Sequence, residues 1–360
     1  MSQPSWILYG ATGYTGRAIA EEAARRGLRP ILAGRNAQSV AELAQRLKLE
    51  HRVFDLSDAS TLRQGIRGAR LVLHCAGPFS STAAPMMEAC LAEHAHYLDI
   101  TGEIDVIEAA AALDQRAQAS SVTLLPAVGF DVVPSDCLAA KLAAKLPAAT
   151  SLKLAFHAVG SVSPGTAKTM LESVSTGGRV RIDGRLTQIP LASKTLNVPF
   201  REGARMAVAI PWGDVASAYY STGIGNIEVY AATPPSQISL MRKVRWALPV
   251  LGLPPIRSLI TRRINASVHG PTPESRARET SSLWGCVEDA RGNRVEATLT
   301  TPNGYALTID TALAAIERIF DAPPAPGFRT PSRAFGADFI DGIPGCDFRF
   351  ETAPLAASIP

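Results

Sequence analysis

The first apolar run of the chain, Trp6–Tyr9, ends on Gly10-Ala11-Thr12-Gly13-Tyr14-Thr15-Gly16, and an Ala-rich amphipathic segment, Thr15–Arg26, follows at once. Small residues at this spacing allow a tight strand-to-helix turn and a close approach of the backbone to a diphosphate. The helix that opens there turns unpaired N–H groups and a partial positive charge toward the phosphates. The spacing Gly10, Gly13, Gly16 differs from the commoner G-x-G-x-x-G, so its weight comes from its place at the head of a repeated series. Further apolar runs follow at Pro30–Ala33, His51–Phe54, Leu71–Cys75, Tyr97–Ile100 and Val122–Val128. Between them lie Ser39–Leu47, Ala59–Ile66, Ala83–Glu93 and Ile104–Gln118, with helical spacing. Short apolar strands alternating with helices specify a parallel sheet covered on both faces. The fold class expected is α/β, an N-terminal Rossmann-type doubly wound sheet followed by a second, α+β domain.

The second strand decides the nucleotide. It closes on Ala33-Gly34-Arg35-Asn36, with no acid to accept from a ribose 2′-OH. The Arg35 guanidinium can instead clamp a 2′-phosphate in two places, so the cofactor expected is NADP. The glycine turn (Gly10, Thr12, Gly13, Tyr14, Thr15, Gly16) and Arg35 form the core of that site. Asp55 after the third strand faces the adenine edge in this reading, with a helix cap as its alternative role. Ala76-Gly77-Pro78 after the fourth allows close backbone approach along the coenzyme.

Near Pro134 the beat changes. Leu152–Phe156, Arg179–Ile189, Ala204–Ile210 and Ile227–Ala232 read as strands, with one helix at Thr166–Val174. A hairpin is expected around Arg291–Arg294 and a helix at Tyr305–Phe320. The domain spans expected are 1–135 for the nucleotide-binding domain, 136–320 for substrate and dimer contacts, and 321–360 for a tail packed back on the body. At 360 residues and 46% hydrophobic content, the chain can bury two cores.

Chemistry is less sharply marked. No Tyr is followed four residues later by Lys, which removes the active-site pair of short-chain dehydrogenases, and no Gly-x-Ser-x-Gly elbow is present. Asp99 and Asp131 stand at strand ends among apolar neighbours, a setting that can raise a carboxyl pKa and suit proton exchange; capping helices or pinning loops is the alternative role for both. Lys168, after Gly165-Thr166 at a helix start, is a third candidate proton donor. The six His and five Cys show no metal-ligand spacing, so no metal is expected, and the odd, scattered thiols fit a reducing, cytoplasmic setting. The opening Met-Ser-Gln-Pro-Ser-Trp lacks the basic region of a secretory leader. The net charge of +4 is too mild to call for nucleic acid. Residues 241–278 are the exception, with eight Lys/Arg against the single acid Glu274 and apolar residues interleaved. Such a stretch can lie on an anionic membrane or receive an acyl-carrier partner, or it can cover a sheet or a homodimer contact.

Taken together, Gly10–Gly16, Ala33-Gly-Arg35, Cys75-Ala-Gly-Pro-Phe79, Tyr97-Leu-Asp-Ile-Thr-Gly-Glu103, Gly129-Phe-Asp-Val-Val-Pro-Ser-Asp136 and Gly165-Thr166 resemble the saccharopine dehydrogenase-like oxidoreductases, in particular their trans-acting enoyl reductase branch. The likeness covers most of residues 5–175 and is loose beyond. It implies an NADP-binding Rossmann domain, an α+β domain shaping the substrate site, and reduction of an activated C=C or C=O in a small, apolar or acyl-type substrate. Saccharopine itself fits poorly, because a polyanion calls for a basic cleft, whereas the second domain up to Thr233 is largely apolar. A protein that binds NADP(H) without turnover is the other reading.

Overall fold

The computed structural model describes residues 4–158, 177–245 and 270–351, with single positions between them. The chain divides into two compact units. One holds the chain up to Val133 together with Leu307–Phe335, and the other holds Pro134–Ala306 and the chain from Gly336 onward.

The first unit is a seven-stranded, all-parallel sheet with helices between its strands, as the βα beat requires. Its strands are β1 (Trp6–Tyr9), β2 (Ile31–Gly34), β3 (His51–Val53), β4 (Leu71–His74), β5 (His96–Asp99), β6 (Thr123–Leu125) and β15 (Gly327–Phe328). Their order is β15-β6-β5-β4-β1-β2-β3. Progress outward from β1 in both directions makes β1/β4 the topological switch point, beside which dinucleotides bind. β1, β2 and β4 are buried at every position, the mark of strands covered on both faces. The helices are α1 (Tyr14–Arg25), α2 (Ala37–Leu47), α3 (Ala59–Ile66), α4 (Phe79–Ala92), α5 (Ile104–Ala112) and α6 (Asp114–Ala119). The helix expected at Ile104–Gln118 is thus two, broken at Leu113.

The seventh strand comes from far along the chain. Gly327–Phe328 pair in parallel with Thr123 and Leu124 of β6. The Phe328 amide donates to Asp114 Oδ1 at 2.7 Å. The helix Gly304–Asp321 ties in through Thr311, whose hydroxyl donates to the Val128 carbonyl at 2.8 Å, and Thr308, whose Oγ1 accepts from the Phe130 amide at 3.0 Å.

The second unit is built on a mixed nine-stranded sheet. Its main path runs β10 (Thr195–Phe200), β11 (Gly203–Ala209), β12 (Asn226–Ala232), β7 (Ala149–Ala158), β13 (Thr280–Asp289), β14 (Arg294–Pro302) and β16 (Asp347–Phe350). The hairpin of β8 (Gly178–Ile182) and β9 (Arg185–Ile189) joins at β12. Among the described residues of this unit only β12 and β7 pair in parallel. One face receives α7 (Val133–Lys145), close enough that a Cβ on Gly285 would lie 2.6 Å from Leu142. On the other face Val198, Phe200, Tyr230, Trp284 and Cys286 form a buried cluster. The turn at Arg201-Glu202 is fastened over that sheet. Arg201 Nε donates to Thr298 at 2.7 Å, and Glu202 accepts from Ser282 at 2.8 Å.

The hairpin expected around Arg291–Arg294 is the β13–β14 turn, closed by Asp289, which accepts from the Arg291 and Asn293 amides. Gly213 caps the helix Asp214–Thr222. The stretch from 321, expected as a tail, contributes β15, the short helix Pro331–Phe335 and β16. The helix expected at Thr166–Val174 and residues 246–262 of the basic segment lie outside the described residues, as does Lys168. No helix among the described residues is long and apolar enough to cross a membrane.

Candidate nucleotide site

The turn after β1 is shaped by contacts that exclude side chains. Gly10 adopts φ +80, and a Cβ there would lie 2.8 Å from the Ala76 amide nitrogen. A Cβ on Gly16 would lie 2.3 Å from the Gly10 carbonyl oxygen. The Gly10 amide donates to the Ala33 carbonyl at 2.9 Å, tying the turn to β2. Gly13 stands at the cap of α1 and makes no side-chain cap hydrogen bond. A glycine turn this tightly packed, opening a helix whose cap residue carries no side chain, fits the diphosphate of a dinucleotide.

Arg35 follows β2 directly and is exposed. Asp55, also exposed, follows β3 by two residues, and its Oδ1 accepts from the Ser57 amide at 2.8 Å. That bond and the Arg35 charge hold its carboxyl below the usual range. The cap of α3 is Asp58, so Asp55 is not that cap. Arg35 and Asp55 both act on the Tyr9 hydroxyl, whose pKa burial pushes up to about 12, so the three share one edge of the sheet.

Ala76, Gly77 and Pro78 form the turn after β4, and Pro78 leads into α4. His74, fully buried, lies with Nε2 2.9 Å from Thr82 Oγ1, and that hydroxyl donates to the Ala76 carbonyl at 2.7 Å. Burial holds the His74 pKa down to about 3, so the ring is neutral.

The two aspartates differ sharply. Asp99 is fully buried at the end of β5. It accepts from the Tyr97 hydroxyl at 2.6 Å, the Ala127 amide at 2.7 Å and the Thr101 amide at 3.0 Å. Burial lifts its pKa to about 6 against those hydrogen bonds. Asp131 keeps partial exposure in the loop after β6, and its carboxylate lies against Gly102, where a Cβ would sit 2.7 Å from Oδ2. Desolvation first, and the Glu103 charge second, raise its pKa to about 7. The structure therefore sets Asp131 beside the loop after β5, and uses Asp99 to fasten that loop to the one after β6.

Glu103 is the residue whose role the sequence did not disclose. Its carboxylate accepts from the Phe79 amide at 2.9 Å and the Ser80 amide at 2.7 Å, at the start of α4. The available signal was indirect: Pro78-Phe79-Ser80 opens a helix with no acceptor of its own.

Residues 6–125 match the saccharopine dehydrogenase NADP-binding domain. A Mycobacterium tuberculosis relative with a trans-acting enoyl reductase name is 34% identical over 186 residues, 47% of this chain and 44% of that protein. The human saccharopine dehydrogenase-like oxidoreductase is 27% identical over 150 residues, 36% of this chain and 35% of that protein. The matched stretch thus spans less than half the length of these relatives. Among solved structures, saccharopine dehydrogenase (L-Glu forming) from Saccharomyces cerevisiae superposes with a TM-score of 0.65 at 11% identity, covering 97% of this chain and 100% of that one, a likeness of fold. Residues 6–125 are accordingly similar to the saccharopine dehydrogenase NADP-binding domain, and over that stretch the chain resembles the saccharopine dehydrogenase-like oxidoreductases.

Proposed function

We propose that this protein is an NADP(H)-dependent oxidoreductase that reduces an activated C=C or C=O group of an apolar substrate. The observation that carries the reading is the turn at Gly10–Gly16, whose glycines let the backbone pack tightly against the turn after β4 and against itself at the start of α1, the geometry from which a helix N-terminus meets a diphosphate. Arg35 clamps the 2′-phosphate, and no acid stands at the end of β2 to favour a free ribose hydroxyl. Asp55 shapes the adenine side. The backbone of Ala76, Gly77 and Pro78 lines the nicotinamide side, across the switch point from Arg35.

When bound, NADPH supplies the hydride. Asp131 holds the proton that balances it, since a carboxyl with a pKa of about 7 exchanges a proton near neutrality. Asp99 positions the loops on either side. Relatives carrying enoyl reductase names support an enoyl-type acceptor over an amino-acid conjugate.

The test is titration of the protein with NADPH and NADH, followed by tryptophan fluorescence. Saturable quenching by NADPH at lower concentration than by NADH is expected, and its absence overturns the reading. Rapid-mixing oxidation of bound NADPH with a panel of enoyl thioesters and ketones then measures turnover. Binding with no oxidation by any member of the panel favours the non-catalytic alternative.

A further inference from the structure

The turn after β4 is held in place from a direction the glycine motif does not use. On one side it is wedged against Gly10, whose missing Cβ would strike the Ala76 amide. From within α4, the Thr82 hydroxyl donates to the Ala76 carbonyl and lies 3.1 Å from that of Pro78. The remaining support is Glu103. The first turn of α4 contains no acid, and its cap position is a proline. Glu103 reaches it from the loop after β5, taking both the Phe79 and Ser80 amides. Its own backbone is fixed by an N–H bond to Thr101 Oγ1 at 3.0 Å. The Thr101 amide in turn donates to the buried Asp99. The chain of contacts thus runs unbroken from the end of β5 to the turn after β4.

Charge matters in this arrangement. A carboxylate offers each of two N–H donors its own oxygen and interacts favourably with the positive end of a helix. It also fills the start of α4 with the chain's own anion, leaving α1 as the helix that meets the diphosphate. Arg35 and Asp55 follow β2 and β3, on one side of the β1/β4 switch point, whereas Glu103 and the turn it supports follow β4 and β5 on the other.

We propose that Glu103 is the positioning residue for the nicotinamide half of the dinucleotide site, its carboxylate bracing the Ala76–Pro78 turn through the first two amides of α4. The inference rests on the NADP(H) reading above and adds to it a division of labour between the two halves of the coenzyme.

The experiment compares wild type, Glu103→Ala and Glu103→Gln with two ligands by calorimetry. NADPH uses both halves of the site; 2′,5′-ADP carries the adenosine half with its extra phosphate and no nicotinamide. The expected result is that E103A weakens NADPH roughly 10- to 100-fold, the range for losing hydrogen bonds to a charged group, while 2′,5′-ADP binding changes by less than about twofold. E103Q, which keeps one carbonyl acceptor, falls between. The fluorescence of bound NADPH, whose emitting ring is the nicotinamide, should lose its enhancement in E103A. Equal weakening of both ligands, or no weakening of either, overturns the proposal. If E103A fails to fold, judged by far-UV circular dichroism, the comparison is made on E103Q alone with the same criteria. A wild-type protein that binds neither ligand sinks the NADP(H) reading itself. Wild-type binding that E103A and E103Q leave intact sinks only the role of Glu103.

Discussion

At the scale of single residues, Arg35 and Asp131 make opposite demands on their surroundings. Arg35 is exposed and keeps its charge available, so its worth is measured by what it binds. Arg35→Asp should cost NADPH about 2–3 kcal/mol, a loss of roughly 30- to 150-fold, and leave NADH unchanged or improved. Fluorescence titration with both coenzymes reads the difference directly, and equal loss for both would mean that Arg35 does not meet the 2′-phosphate. Asp131 instead sits where its charge is disfavoured, with a pKa raised from 3.8 to about 7. A carboxyl whose folded pKa is raised contributes stability that is full below the unfolded value and is lost as pH rises through the folded one. Asp131→Asn should therefore leave stability unchanged near pH 4 and increase it at pH 8. The gain is on the order of 2 kcal/mol, because solvent at this partly open site screens some of the cost. Urea midpoints at the two pH values test it, and an equal effect at both would contradict the assignment. Both aspartates were legible in the sequence as acids among apolar neighbours. What separates them was not, since Asp99 is satisfied by the backbone amides of Thr101 and Ala127 and a buried tyrosine. The role of Glu103 was hidden for the same reason: its partners are main-chain donors 23 and 24 residues upstream, and main-chain groups are the same whatever the sequence.

At the scale of elements, the β1–α1 turn makes a graded prediction. A Cβ on Gly16 meets the Gly10 carbonyl at 2.3 Å, whereas one on Gly13 meets it at 3.3 Å. Gly16→Ala should destabilise the protein by about 1–3 kcal/mol, the usual cost of forcing a methyl into occupied space, and Gly13→Ala by clearly less. Thermal melts of the two variants decide the order, and the reverse order would show that the turn is held differently. The strands and helices of the first unit were readable because each is announced by local hydrophobic period. Their starts were less so. The apolar period of α4 suggests a beginning at Ala83, yet the helix starts at Phe79 because Glu103 caps it from another loop. The helix Asp214–Thr222 was missed because Ser-Ala-Tyr-Tyr-Ser-Thr has little helical preference. Burial of Val215, Ala216 and Ala218 supplies what propensity does not.

At the scale of the whole molecule, the first unit is discontinuous in sequence, completed by Leu307–Phe335. A fragment ending at Val133 lacks the partners of Val128, Phe130 and Asp114 and leaves β6 unpaired on one side. Such a fragment should melt without a cooperative transition, whereas one in which residues 304–335 are joined by a flexible linker should regain it. Circular dichroism melts of the two distinguish these outcomes, and a cooperative transition in the short fragment would refute the dependence. A tail returning to the body was expected, but that it supplies a strand to the first sheet was not readable, because that strand is two residues long and pairs through the main chain. The switch of beat near Pro134 was visible because parallel and antiparallel strands carry different side-chain patterns.

That late strand also bears on how the protein is made. Emerging from the ribosome, the nucleotide-binding half is nearly finished at Leu125, yet the two residues that cover its last strand follow roughly 200 positions later, about 10–40 s at ordinary translation speeds. Throughout that interval a nascent chain displays an open β-edge beside apolar surface, the form in which unfinished α/β proteins attract chaperones or one another.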